Sequence, residues 1–242
     1  MSLYKHPIKF DLDKLLKEKD YAESVVTYDS GFRNHCISLL GRKEEEMEGW
    51  NLYLAEMNRH RIWKDYNRQV NVLYDTEILQ DIPFDRKHLP YMNSVFDIFN
   101  EGTEVLVARL IRRESHSSYG IHRDYGKGME ELEDSKKMMW RFQIPLISNK
   151  DCYLIIFKDH VVDKWKELYG EYQLEDFLDK PSDDFQVHHL EDGYLYHFKV
   201  WKYAHTVWNM GETDRYTLVV DTIPNEWIEN WAKENLNEVL PS

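Results

Sequence analysis

The chain has 242 residues, with 31 Lys+Arg against 44 Asp+Glu and a formal net charge of −13. A surface this acidic argues against a nucleic-acid backbone as the main partner, because phosphate recognition draws on basic side chains. Aromatic residues make up 14%, including 8 Trp and 16 Tyr, enough to build a packed core and to exclude low-complexity disorder.

The N-terminus mixes Lys5, His6 and Lys9 among few apolar residues, so no secretory leader is expected. No uncharged apolar run approaches the ~18 residues of a membrane span, so no membrane association is expected. Cys36 and Cys152 form no CxxC and no zinc spacing, and a reducing cytoplasm is the expected location.

The first hundred residues read as mostly helical. Phe10, Leu12, Leu15 and Leu16 recur at helical spacing. A second helical pattern covers residues 44–66, and His88-Leu89-Pro90 leads into a third at 91–99. The character changes near residue 104. Apolar runs of strand length follow at 105–111, 140–147, 153–157, 194–200 and 216–221, separated by Gly, Asn and Asp. Helical repeats are missing between most of them, which favours antiparallel pairing. One helical insertion is expected within 161–178, and a terminal helix at 225–240. The expected division is a mostly helical region over 1–103, a β core over 104–224 with an insertion at about 160–180, and a C-terminal helix over 225–242. These form one compact domain. The fold class expected from this order is α+β, an antiparallel barrel or sandwich with a helical buttress.

Among 11 histidines, His122-Arg123-Asp124 stands out. Residues two apart on a strand share a face, so an imidazole and a carboxylate would project together. That is two thirds of a 2-His-1-carboxylate site for non-haem iron. The triplet is common by chance, and His189-Leu190-Glu191 offers a rival. The surroundings favour the first. His205, 83 residues downstream, would share a strand face with Val207 and Asn209. Arg215 follows ten residues later and shares a face with Thr217. An arginine directed into a barrel needs an anion, and a dicarboxylate would supply one. Arg141 and Gln143 alternate with Phe142 and Ile144, a second candidate anion contact.

The order His122-x-Asp124, Arg141-x-Gln143-x-Pro145-Leu146, Gly193, His205-x-Val207-x-Asn209, Arg215-x-Thr217 and Asp221 resembles the 2-oxoglutarate/Fe(II) oxygenases. Within them it looks most like the aspartyl/asparaginyl β-hydroxylase-like group, which also holds free-proline cis-hydroxylases. The likeness spans about residues 104–222. It implies a double-stranded β-helix (jelly-roll) core. It implies Fe(II) on His122, Asp124 and His205. It implies 2-oxoglutarate chelated at the iron, with its far carboxylate on Arg215 and Thr217 and a further contact from Arg141. Gln143 stands where some members carry histidine. O₂ would be the second cosubstrate. The implied reaction hydroxylates an unactivated C–H of a free amino acid or a peptide side chain, and 2-oxoglutarate leaves as succinate.

The N-terminal helices and the 125–137 loop are the expected substrate walls. Arg109, Arg112 and Arg113 lie just upstream of the metal pair, either as surface residues or as a carboxylate contact. Three other readings compete. His-Arg-Asp also spells the protein-kinase catalytic-loop triplet, but Met129 stands where a kinase needs the Mg-binding Asn, and no Asp-Phe-Gly follows. A non-enzymatic jelly roll would need none of these ligands. A cupin-type isomerase would not need Arg215.

Overall fold

The computed structural model describes residues 3–25, 34–40, 88–102, 105–122, 140–158, 175–178, 183–200, 202–222 and 225–238. In chain order these form β1 (Tyr4–Lys9), α1 (Leu12–Val25), β2 (Asn34–Leu40), α2 (Pro90–Asn100), β3 (Val105–Arg113), β4 (Ser117–His122) and β5 (Trp140–Ile147). Then come β6 (Cys152–Phe157), α3 (Glu175–Leu178), β7 (Phe185–His188), β8 (Tyr194–Phe198), β9 (His205–Asn209), β10 (Arg215–Thr222), α4 (Glu226–Asn235) and β11 (Asn237–Glu238). No helix among the described residues is long and apolar enough to cross a membrane.

The strands form a seven-stranded sheet, β11-β1-β8-β5-β10-β3-β2, and a four-stranded sheet, β4-β9-β6-β7. All pairings are antiparallel. Counting β3 to β10 as strands one to eight, the two layers read 6-3-8-1 and 2-7-4-5. That interleaving is the jelly-roll order. Strands remote in sequence are thereby brought side by side: β10 lies between β3 and β5, and β9 between β4 and β6.

Alternation along each strand sorts side chains between two faces. On the large sheet, Ala108, Leu110, Phe142, Ile144, Leu146, Leu195, Leu218 and Val220 face outward under helices. Leu15 and Ala22 of α1, Met92, Val95, Phe96 and Phe99 of α2 and Ile228 of α4 complete that core. The helix ends are tied down by specific groups. Pro90 opens α2, where a missing N–H costs nothing. The Glu18 carboxylate of α1 accepts from the backbone N–H of Tyr91 and Met92 at 2.7 Å each, satisfying donors the helix leaves over. Asn225 caps α4 by accepting from Ile228 N–H at 3.0 Å.

The opposite face of the large sheet turns toward the small one. Tyr196 and Phe198 meet Leu154, Ile156 and Val207 there. The far side of the small sheet is covered by Phe177 of α3, packed with Ile155, Phe157 and Phe185. The interior between the layers is therefore partly apolar, and its remaining positions hold the polar residues described below.

Several expectations need correction. The N-terminal segment is not uniformly helical: β1 and β2 are strands. Pro7 sits in β1 where the register against β8 shifts between Lys5 and Lys9, so no ladder bond is lost at the proline. The terminal helix stops at Asn235, and Leu236 turns extended, letting Asn237 and Glu238 pair with Lys5 and Tyr4. Of the insertion at 161–178, only the short α3 is described. The helix expected at 44–66 and the 125–137 loop lie outside the described residues.

Under α4 sits a cluster of rings around two buried histidines. His6 stacks on Trp231 at 4.9 Å, and His197 stacks on Trp140, Tyr4 and Phe142 at 5.0–5.2 Å. The His6 and His197 rings are 5.7 Å apart. Burial holds the His6 pKa down to about 4. Burial, with the nearby His6 and Lys199 charges, holds His197 down to about 3. The unfolded chain takes up these protons near pH 6.5, before the folded one does. Stability is therefore full above pH 6.5 and is lost as the pH falls toward 4, by about 1.4 kcal/mol per pH unit for each imidazole. His6→Phe should flatten that decline in a series of thermal midpoints against pH. Parallel curves for variant and wild type would refute the assignment.

Candidate active site

Each jelly-roll strand contributes to one interior. On β9, His205 and Asn209 are buried and point inward with Val207. On β4, Ser117 stands opposite Asn209 and Tyr119 opposite Val207. Regular pairing would then bring Ile121 opposite His205. Instead His122 is opposite His205, because the register shifts between Tyr119 and His122. This one-residue bulge turns Ile121 to the outer core and aims His122 inward, a use of bulges common beside active sites.

The two imidazoles come to 4.3 Å between ring centroids. His122 Nδ1 lies 2.8 Å from Gly120 O, and His205 Nδ1 lies 3.2 Å from Tyr203 O. A carbonyl can only accept, so each Nδ1 is the protonated nitrogen and Nε2 carries the lone pair. That is how metal-binding histidines are commonly oriented. Tyr119 packs its ring edge-to-face on His122 at 4.3 Å, and Phe198 does so on His205 at 5.0 Å. Asp124, the expected third ligand, lies outside the described residues. No group of three potential ligands occurs among the described residues.

On the large sheet, Arg215 opens β10. It is 7% exposed and makes no hydrogen bond or ion pair among the described residues. Burial pushes its pKa below the ordinary arginine value, opposed by Cys152 and Asp192. Thr217 shares its face and is buried, with Oγ1 lacking a partner among the described residues. Gln143, on the neighbouring β5, is buried with Nε2 in the same condition. A buried cation with unmet donors beside it suits a carboxylate, which accepts through two oxygens.

Arg141 has a different setting. Its Nε and Nη2 hold the two Asp221 oxygens at 2.8 and 3.0 Å, and Arg109 Nη2 reaches the same carboxylate at 3.1 Å. The three form one cluster on the interior face around the buried Asp221 carboxylate. Arg112 points the other way, to Asp214 at 2.6 Å. Arg113 is buried on the interior face, its guanidinium 5.1 Å over the Tyr119 ring. The rival His189-Leu190-Glu191 does not converge: His189 Nδ1 is 3.0 Å from Cys152 O, while Glu191 pairs with Lys5 at the surface.

Asn209, fully buried, joins these parts. Its Nδ2 is shared among Arg113 O, Glu114 O and Thr213 O at 2.9–3.2 Å. Its Oδ1 accepts from Asn149 Nδ2 at 2.9 Å, Cys152 Sγ at 3.2 Å and Gly211 N–H at 3.3 Å. One side chain thus fixes the end of the His205 strand against the end of β3 and the approach to Arg215. Sequence reasoning placed Asn209 on the right face but could not see this role. Arg113 is legible in the sequence only as one of three upstream arginines, and Tyr119 not at all; what sets both apart is the cross-strand register.

No protein-family model matches the chain, and no curated protein matches it. Solved structures similar to it include a 2OG-Fe(II) oxygenase family oxidoreductase from Burkholderia pseudomallei. Identity is 13%, coverage is 93% of this chain and 85% of that one, and the TM-score is 0.44. HygX from Streptomyces hygroscopicus, with nickel and 2-oxoglutarate bound, shares 13% identity over 93% of this chain and 84% of its own, at TM-score 0.48. A prolyl-4-hydroxylase from Pseudomonas putida shares 13% over 93% and 92%, at 0.44. These likenesses are too distant to establish a relationship; the jelly-roll order stands on this chain's own strand pairing.

Proposed function

We propose that the chain is an Fe(II)- and 2-oxoglutarate-dependent oxygenase that hydroxylates a free amino acid or a peptide side chain. The observation that carries this reading is the conjunction of two features in one interior. His122 and His205 stand paired with Nδ1 on backbone carbonyls, and Arg215 lies buried with no acid partner among the described residues. The first suits a divalent metal. The second suits the remote carboxylate of a dicarboxylate. A metal-dependent isomerase requires the first but not the second.

His122 and His205 would hold Fe(II) through Nε2, with Asp124 as the third ligand by the sequence pattern. Bound iron would supply O₂ activation coupled to decarboxylation of the 2-oxo acid. The chain's own residues bind, orient and shield. Arg215 pairs with the distal carboxylate, and the Thr217 hydroxyl and Gln143 amide donate to oxygens within reach of that face. Phe198 and Tyr119 press on the two imidazoles, fixing ring orientation and keeping water from that side. The subgroup likeness to aspartyl/asparaginyl β-hydroxylases supports an amino-acid side chain as substrate.

The test is an anaerobic titration of metal-free protein with Fe(II), then 2-oxoglutarate, followed through the weak visible charge-transfer band of the chelate. Saturation near one iron per chain supports the reading. Iron binding without a band would favour a metal-dependent isomerase. Binding of neither would make the chain a ligand-binding jelly roll.

A further inference from the structure

The interior of the jelly roll is divided in charge. Arg109, Arg113, Arg141, Arg215 and Asp221 stand on β3, β5 and β10. Among the described residues, those that β6, β7 and β8 turn inward carry no charge. Leu154 and Ile156 of β6 and Tyr196 and Phe198 of β8 form an apolar lining there. β7 breaks that lining. His188 stands opposite Leu154 and Gln186 opposite Ile156, so both share the inner face. Phe185 and Val187, the alternate residues, pack in the outer core. His188 is 3% exposed. Its Nε2 and the Gln186 Oε1 are buried, and neither has a hydrogen-bond partner among the described residues. Burial holds the His188 pKa down to about 4, so the ring is neutral near pH 7. Unmet buried polar atoms cost stability, and an apolar residue at either position would avoid that cost.

Gln186 also lies in register with the histidine pair. His122 is opposite His205, His205 opposite Ile156, and Ile156 opposite Gln186. Neighbouring strands are about 4.7–4.9 Å apart, so β7 runs about 10 Å from β9. Two to three residues of an extended chain, at about 3.3–3.6 Å each, cover that distance. We infer that Gln186 and His188 form the substrate-recognition edge of the site and take a neutral amide, either a backbone peptide group or a side-chain carboxamide. The inference rests on the oxygenase reading above and narrows its substrate. The Gln186 Oε1 accepts the amide N–H, and the neutral imidazole donates from Nε2 to the amide carbonyl. An ammonium or a carboxylate would lie on this side without a counter-charge, which is costly away from water. A free amino acid brings both charges, whereas an amide brings neither. The charged half of the interior serves the dicarboxylate, and the neutral half serves the group to be hydroxylated.

The test measures binding to the full chain loaded with Zn(II), which has no redox chemistry, and 2-oxoglutarate. Ligand-observed NMR finds the binders and calorimetry gives their Kd. The probes are the proteinogenic amino acids, each free and as its N-acetyl amide. Blocked amides should bind, and among the free amino acids only asparagine and glutamine. Binding of blocked amides with apolar side chains would assign the backbone peptide group; binding confined to asparagine and glutamine in both forms would assign the carboxamide. Gln186→Leu and His188→Leu should each raise the Kd of the bound amide about tenfold or more, while moving 2-oxoglutarate by less than about twofold. Each should also hold or raise the thermal midpoint, because an unmet buried group goes with it. A fall of more than about 4 °C in either variant would show a structural role and overturn its assignment. Free amino acids without a carboxamide binding as tightly as the blocked ones would overturn the inference. So would amide affinities unchanged in both variants, or no binding from either set of probes. Retained 2-oxoglutarate binding in those cases leaves the oxygenase reading standing. Failure of the wild type to bind 2-oxoglutarate would remove that reading itself.

Discussion

His205→Ala is expected to lower affinity for a divalent metal by more than about a hundredfold, since losing only a supporting contact to a ligand costs 10–100-fold. The variant keeps the jelly roll. His205 pairs through its backbone with His122 and Ile156, and alanine preserves those bonds. What goes is one of the two nitrogen donors at 4.3 Å ring separation. Metal per chain after dialysis against limiting Fe(II) or Zn(II) is the direct measurement. Stoichiometry equal to wild type would mean the histidine pair is structural. The thermal midpoint without metal should change little, which separates ligand loss from misfolding.

The second large effect concerns stability. Asp221→Ala removes the carboxylate that Arg109 and Arg141 share between β3, β5 and β10. Asp221 is 1% exposed, so water cannot take its place. Breaking a buried ion pair from one side costs about 3–5 kcal/mol, or about 6–20 °C in thermal midpoint for a chain of this size. Asp221→Asn keeps the shape and one acceptor oxygen and should fall between. A triple variant that also replaces Arg109 and Arg141 by Met should recover part of the loss, because the two cations that Asp221 holds go with it. A drop of only a degree or two in Asp221→Ala would show that the cluster is hydrated and contributes little.

The sequence carried the β core well. Strands with clean alternation, such as residues 140–147 and 215–222, are also those with one face under helices and the other inward. Where alternation is short or masked, strands were missed. In β2 the signal is two alternate buried residues, Ile37 and Leu39, too brief to outweigh a helical neighbourhood. In β1 the basic residues and Pro7 hide a strand whose buried member is His6. The site was legible as a set of residue types at fitting distances along the chain, because faces follow from parity. Its assembly was not. Arg109, Arg112 and Arg113 look alike in sequence. Only pairing with β10 sends the first to Asp221, the second to Asp214 on the other face, and the third opposite Arg215. Parity also fails wherever a strand bulges, and β4 bulges between Tyr119 and His122.

That bulge has a bearing on how tolerant the facing of His122 is to changes of length. With two residues between Tyr119 and His122, the bulge absorbs the extra one and His122 stands opposite His205. Removing Gly120 would leave His122 two residues after Tyr119, where regular pairing also sets it opposite His205. A single-codon deletion there would therefore straighten β4 while keeping both imidazoles on the interior face. An inserted or deleted residue in a regular strand, by contrast, turns every later side chain to the other face, so the odd residue of β4 sits at a place where length can vary without cost to the pair.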